Sequence, residues 1–398
     1  MRVVVVGAGI VGAACARELA RAGCEVVLLD RGGAAAATTA HGEGNILVSD
    51  KEPGPELALA QLSRELWPRV LAEPRARSAT TTDGRRHPGE AGVAEWDAKG
   101  GIVVATTAAG AAALREFAAA QRSAGVTATE LDDAELHAAE PHLTRGHTAA
   151  VHYPDDAQVQ PAGAATLLLG DALAAGAVLR TGCTVTGPVR AGGRLTAVRT
   201  SDGTVAGDAF VNAAGPWAGA VSASLGAPID VRPRRGEVLV TTPQPPTVFH
   251  KVYDADYVGA VASDETAVQT SAVVESTRGG TVLLGSSRRQ VGFAEAMPVA
   301  VWSAIAAKAL RLFPGLAGVP VMRAYGGFRP FVPDHLPVIG ADERLPGLWH
   351  ATGHEGAGIG LSVGTGRIVA DLLCGRTPPI DPAPFSPNRS TVAIEEGT

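Results

Sequence analysis

Residues 2–30, RVVVVGAGIVGAACARELARAGCEVVLLD, constrain the fold of this chain more than any other stretch. An apolar strand, Val3–Val6, runs into Gly7-x-Gly9-x-x-Gly12. A helix follows, then a second apolar strand that ends on Asp30. Gly7 allows the tight turn, Gly9 lets backbone approach a pyrophosphate, and Gly12 lets the helix pack closely on the sheet. The helix N-terminus offers N–H groups and a partial positive charge to a diphosphate. Asp30 stands about 20 residues past the glycines, where a carboxylate holds a ribose hydroxyl. The pattern predicts a βαβ unit that binds an adenosine dinucleotide, and the motif by itself does not separate FAD from NAD. The alternatives are a tight strand–helix turn with no ligand and a secretory leader, since Arg2 precedes an apolar run. The glycine spacing and second strand are superfluous in a cleaved peptide.

At 398 residues the chain has room for two domains. A net charge of −6 offers no broad basic surface for nucleic acid. No uninterrupted apolar run reaches the roughly 20 residues of a spanning helix. Cys15, Cys24, Cys183 and Cys374 are scattered without C-x-x-C spacing, which argues against a metal site, an iron–sulfur cluster or a disulfide framework in this chain. The expected location is cytoplasmic. Lys51, Lys99, Lys251 and Lys308 are the only lysines, a composition bias in favour of arginine.

Beyond Asp30, a small-residue loop runs to Asn45. The segment 55–70 places Leu57, Leu62, Leu66 and Val70 near one helical face, with Pro68 expected to kink or end that helix. Residues 72–92 are polar and rich in Pro, Gly, Arg and Thr, as in an exposed excursion. Strands are expected at 101–106, 149–153, 178–181, 195–200 and 209–213, and helices at 109–124, 161–175 and 299–313. The strand at 209–213 runs into AAGPWA, a second place where backbone meets a dinucleotide. The segment from Ile229 to Ser287 reads mainly as strands of a separate antiparallel sheet. Dinucleotide-binding pieces therefore fall at the N-terminus, the middle and the C-terminus, interrupted by β-rich pieces. This predicts an α/β fold: a parallel-sheet nucleotide domain (1–86, 149–225 and 324–398) interrupted by an antiparallel-sheet substrate domain (87–148 and 226–323).

GAGIVG with Asp30, the central NAAGPWA, and FRPFVPDHLPVIG followed by GLWHATGHEGAGIG occur in an order that resembles the FAD-dependent amine and amino-acid oxidoreductases of the D-amino-acid oxidase, sarcosine oxidase and glycine oxidase type. The resemblance covers the chain nearly end to end. HGEGNILVSDKEPGPELALA, EWDAKGG, YPDDAQVQP, RPRRGEVLVT and VESTRGGTVLLGSSRRQVGF look most like large chains of opine, hydroxyproline-like and cyanide-forming glycine dehydrogenases. Such chains often work with a small iron–sulfur subunit and a second flavoprotein. The resemblance implies a glutathione-reductase-type FAD domain with an antiparallel sheet covering the flavin. It puts the ADP half against Gly7, Gly9, Ile10, Val11, Gly12, Asp30 and Arg31. The pyrophosphate and flavin edge fall to Thr38, Thr39, His41, Gly42, Glu43, Gly44 and Asn45. Ala214, Gly215 and Trp217 take the adenosine side. Gly340 and the run Gly353, Glu355, Gly356, Ala357, Gly358 and Ile359 approach the ribityl chain and ring carbonyls. The covalent-flavin cysteine of the sarcosine oxidases has no counterpart in YGGFRP, which implies non-covalent FAD.

In such an enzyme Arg329 matches the carboxylate-binding arginine. Its planar fork takes a carboxylate in two parallel hydrogen bonds and fixes Cα over the flavin. The reaction implied is hydride transfer from Cα to flavin N5 from a neutral amine, with positioning and a dry site supplying most of the rate. His354 and Glu355 are the polar candidates beside the ring, with hydrogen-bonded scaffolding as the alternative role for His354. Tyr253 and Tyr257 are candidates to line the substrate pocket, against core packing. The flavin-side strand TVLLGSS holds leucines and no lysine, which points to a dehydrogenase passing electrons to a carrier or partner. A peroxide-forming oxidase and a non-catalytic FAD-binding subunit are the competing readings.

Overall fold

The structure is a computed structural model that describes residues 1–73, 92–255 and 268–394. In chain order its strands are Arg2–Val6 (β1), Glu25–Leu29 (β2), Asn45–Ile46 (β3), Gly101–Ala105 (β4), Thr129–Glu130 (β5), Ala149–Tyr153 (β6), Ala157–Gln158 (β7), Val178–Arg180 (β8), Val185–Ala191 (β9), Arg194–Thr200 (β10), Gly203–Ala206 (β11), Ala209–Asn212 (β12), Arg232–Thr241 (β13), Lys251–Asp254 (β14), Gln269–Ser276 (β15), Val282–Arg288 (β16), Val321–Phe331 (β17), Val338–Ala341 (β18) and Leu348–Thr352 (β19). The described helices are Ile10–Arg21 (α1), Pro55–Ala72 (α2), Ala108–Ser123 (α3), Asp133–Ala139 (α4), Pro161–Ala174 (α5), Ala218–Leu225 (α6), Val299–Leu312 (α7) and Gly358–Leu373 (α8).

Two sheets organise the molecule. The first has the order β18-β19-β12-β1-β2-β8 and is parallel except at β18–β19. Val3, Val4, Val5 and Leu28 are fully buried in it, as expected for strands covered on both faces. On one face, α1 packs between α5 and α8. On the other, a meander of β9, β10 and β11 contributes Leu195, Val198 and Val205 to a second cluster around Val4 and Leu29. The second sheet, β17-β13-β16-β15-β14-β4-β6-β5, is antiparallel except where β14 runs parallel to β4. One face of it packs on α7 through Leu239, Ala272, Val274 and Leu284. The other face looks toward the first sheet.

Three sequence expectations change at this level. Both β6 and β17 pair into the eight-stranded sheet, although the division at 149 and 324 assigns these residues to the nucleotide domain. Pro68 does not end α2, which continues to Ala72. The turn around Pro68 is clamped to α8: Trp67 Nε1 donates to the Gly360 carbonyl (3.0 Å), and the Gly364 N–H donates to Ser63 Oγ (3.2 Å). Tertiary packing therefore outweighs the local penalty. The buried residues of α2 are Leu57, Leu59, Ala60, Ser63, Trp67 and Val70, not the leucine stripe alone. Among the described residues, no helix is long and apolar enough to cross a membrane.

Candidate active site

A cleft of about 510 Å³ lies between the two sheets, at the C-terminal ends of β1 and β12. Its size falls in the range of sites that bury a cofactor-sized ligand. It begins at the first glycine turn. Gly7 has φ 108°, and a Cβ there would stand 2.4 Å from the Ala213 carbonyl oxygen. A Cβ on Gly12 would stand 1.9 Å from the Gly7 carbonyl oxygen. The two positions admit no side chain, and the first turn of α1 is thereby pressed against the strand end. The Ile10 N–H donates to Thr39 Oγ1 (3.1 Å). The Asp30 carboxylate accepts from the Ala8 N–H and the Gly32 N–H (2.8 Å each). It thus holds the turn rigid at the place where a ribose would reach it.

Gly7, Gly9, Ile10, Val11, Asp30, Arg31, Thr38, Thr39, His41, Gly42, Glu43, Gly44 and Asn45 all line this cleft, as do Ala214, Gly215 and Trp217. Gly12 stands behind it as a packing residue. Arg31 lies over the Trp217 ring, its guanidinium carbon 4.0 Å from the centroid, and Phe293 stacks on Trp217 at 5.1 Å. Thr184, Val185 and Thr186 line the same end. Sequence reasoning missed them because they begin a strand of the meander and carry no motif.

The C-terminal turn 353–359 opens the second end of the cleft. Glu355, Gly356, Gly358 and Ile359 line it, and the N-terminus of α8 points its partial positive charge there. Gly353 and Ala357 do not line it. A Cβ on Gly353 would meet Val332 at 2.5 Å, so this glycine serves packing. Gly340 likewise lies off the cleft, beside Pro387. His354 borders the cleft, yet its ring is turned inward: Nε2 pairs with Thr365 Oγ1 (2.8 Å), and burial pushes its pKa down to about 3. The ring is thus neutral at neutral pH and engaged with Thr365. Glu355 takes a left-handed conformation (φ 46°) and is held by His335 Nδ1 (2.7 Å) and Arg234 Nη1 (3.5 Å). A non-glycine residue in that region costs about 1 kcal/mol or more, so the surrounding ion pairs hold a strained turn in place.

Arg329 enters from β17, paired with Arg234 of β13. It lines the cleft, and its Nη1 donates to the Ser287 carbonyl (2.8 Å). The guanidinium lies across Gly236, where a Cβ would stand 2.0 Å from Nη1. Gly236, Val238, Gly327 and Phe328 complete this wall; Gly236 leaves room for the guanidinium, and Gly327 for His41, whose Cβ a side chain there would meet at 2.7 Å.

Tyr253 does not reach the cleft. It is wholly buried, its hydroxyl donates to Ser49 Oγ (2.6 Å), and burial beside Asp156 raises its pKa well above the usual phenol value. Core packing is its role here. Tyr257 lies outside the described residues. The region without a lysine in TVLLGSS does have one from another strand: Lys251 of β14 stands 3.9 Å from Glu43 Oε2 and 4.0 Å from Glu275 Oε1. Burial pushes the Glu275 carboxyl up to about 7, with Lys251 opposing the shift. Tyr325 donates to the Gly42 carbonyl (3.3 Å), and burial raises its hydroxyl pKa.

The residues present fit an FAD. The glycine turn and α1 suit the diphosphate, Asp30 the ribose, and the glycine wall opposite the N-terminus of α8 suits a planar ring. A family model described as FAD dependent oxidoreductase (DAO) matches residues 2–372. The chain is 31% identical to the glycine oxidase of Pseudomonas aeruginosa over 97% of this chain and 98% of that protein. It is 31% identical to the hydrogen cyanide synthase subunit HcnC of the same organism, over 66% of this chain and 61% of that one. The crystal structure of glycine oxidase from Geobacillus kaustophilus matches with a TM-score of 0.85 at 27% identity, covering 98% of this chain and 99% of that one.

Proposed function

The chain belongs to the DAO family of FAD-dependent oxidoreductases, and on that premise we propose that it oxidises the C–N bond of a small amino, imino or opine acid whose carboxylate is held by Arg329. FAD-dependent oxidation of an amino acid is what the family and its glycine oxidase relatives carry out. The observation that carries the reading is the Arg329 guanidinium laid over Gly236 in the wall of the cleft. An arginine fork matches a carboxylate in two hydrogen bonds and fixes the carbon beside it. Bound FAD supplies the acceptor for the hydride leaving that carbon. The packed face of Val238, Gly327 and Phe328 keeps water from the reacting bond. The substrate nitrogen reacts as the neutral amine, and the resulting imine is released to hydrolysis.

The FAD is held without a covalent bond in this reading. Of the four cysteines, Cys183 alone lines the cleft, beside Thr184 at the end away from Arg329. A peroxide-forming oxidase is the second reading, and Lys251 near the flavin-side loop favours it. Glu43 and Glu275 offset that lysine's charge, so we assign the electrons to a carrier or a partner such as an iron–sulfur or second flavoprotein subunit.

Anaerobic mixing of the purified holoenzyme with a panel of amino and imino acids tests the function. At least one carboxylate-bearing amine bleaches the flavin absorption if the reading is right. Bleaching by none of them, or only by amines without a carboxylate, overturns it and leaves a non-catalytic subunit. Peroxide yield in air against reduction of an artificial dye then assigns the acceptor.

A further inference from the structure

The cleft has a second polar pole besides Arg329. Glu43 sits in the loop between Thr38 and Asn45, lines the cleft, and has a side chain only 8% exposed. Its Oε2 accepts from Asn45 Nδ2 (3.0 Å) and faces Lys251. Its Oε1 is buried and has no hydrogen-bond partner. A buried carboxylate oxygen without a donor is costly unless a ligand supplies one. Oε1 lies where β16 carries no side chain: a Cβ on Gly285 would stand 2.2 Å from it. Gly285 follows the Leu239–Leu284 pair in the sheet, beside Val238, which also lines the cleft.

Ser287, whose carbonyl engages Arg329, is two positions along β16 from Gly285. We propose that Glu43 holds the substrate's nitrogen while Arg329 holds its carboxylate, so that the pair selects amino and imino acids over carboxylates that lack nitrogen. The proposal rests on the function stated above and deepens it. Glu43 is a binding and orienting residue whose Oε1 accepts from an N–H of the neutral amine that reacts, with Lys251 and Asn45 fixing its rotamer.

The experiment uses the holoenzyme and its Glu43→Gln variant with two probe pairs that differ only in nitrogen: glycine with acetate, and alanine with propionate. Acetate and propionate affinities are read from perturbation of the flavin spectrum, and amino-acid affinities from saturation of the anaerobic reduction rate. Glu43→Gln is expected to weaken the amino acid about tenfold or more, with acetate or propionate changed less than twofold and the ligand-free flavin spectrum and content unchanged. Equal weakening of both members of a pair overturns the proposal, as does an unchanged amino-acid affinity. Loss of flavin or a shifted ligand-free spectrum also overturns it and assigns Glu43 to the ring. Gly285→Ala displaces Oε1 without touching its charge and should give the same loss of discrimination, which keeps the test open if Glu43→Gln fails to fold. If the unaltered enzyme responds to none of the four probes but is bleached by amines without a carboxylate, the proposed function fails before Glu43 is tested.

Discussion

On the nucleotide side of the cleft, the groups that meet the ligand are mostly backbone. They are the turn at Gly7, the first amides of α1 and the clamp of Asp30 on Ala8 and Gly32, all within about 30 residues of sequence. On the sheet side they are side chains brought from far apart, Arg329 from β17 and Glu43 from the loop before β3, with buried Lys251 of β14 beside Glu43 and Glu275 of β15 beside Lys251. A backbone site tolerates changes of side chain but no added atom at the turn. A side-chain site tolerates small shifts of backbone but loses its chemistry with one truncation. The two walls therefore fail in different ways when altered.

The sharpest way to break this contrast is Gly12→Ala. Its methyl would overlap the Gly7 carbonyl oxygen, and relief demands movement of α1 from the sheet at a cost of about 3 kcal/mol or more. Purified protein should carry little flavin and melt at a lower temperature. A normally loaded, normally stable variant would contradict the close-packing account. Next in size, Arg329→Ala should lower kcat/KM for carboxylate-bearing amines about a thousandfold, in line with the loss of a buried charged contact. Flavin content should stay intact, because that arginine belongs to the other wall. Loss of flavin along with turnover would mean that the two walls are not separable.

The smallest expected effect lies where the walls meet, at His354. Its folded pKa of about 3 is below the ordinary 6.5, so the unfolded chain binds the extra proton first. The contribution to stability is full above about pH 6.5 and declines as pH falls toward 3. His354→Gln should flatten part of the acid-side loss of thermal stability between pH 6.5 and 4. It should leave the shape of the turnover profile from pH 6 to 9 as it was. A limb of that profile that disappears with the substitution would return His354 to the chemistry.

The same contrast explains what was legible in the sequence. The glycine turn, Asp30 and most strands are contiguous patterns, and they stand where their spacing puts them. Arg329 was legible only through resemblance, since nothing in GGFRP alone says which way a strand residue points. Tyr253 stands open between substrate pocket and core packing in the sequence because a strand does not reveal which of two buried surroundings its face meets. Here the phenol lies against Ser49, about 200 positions away in the chain. Lys251 and Glu275 went unnoticed because their meeting depends on the register of β14 against β15. That α2 runs on past Pro68 is not legible because the penalty is local, whereas the clamp on α8 involves residues about 300 positions distant.

The packing of α8 on α1 and the insertion of β19 beside β12 have a consequence for how the chain is made. The first βαβ unit leaves the ribosome well before the strand and helix that close over it, which lie about 300 residues further along the chain. Until then the glycine turn is half walled, and the partly exposed valines of β1 have no cover on one side. Cofactor capture therefore waits on distant segments: the glycine turn is complete only when parts of the chain made much later have folded against it.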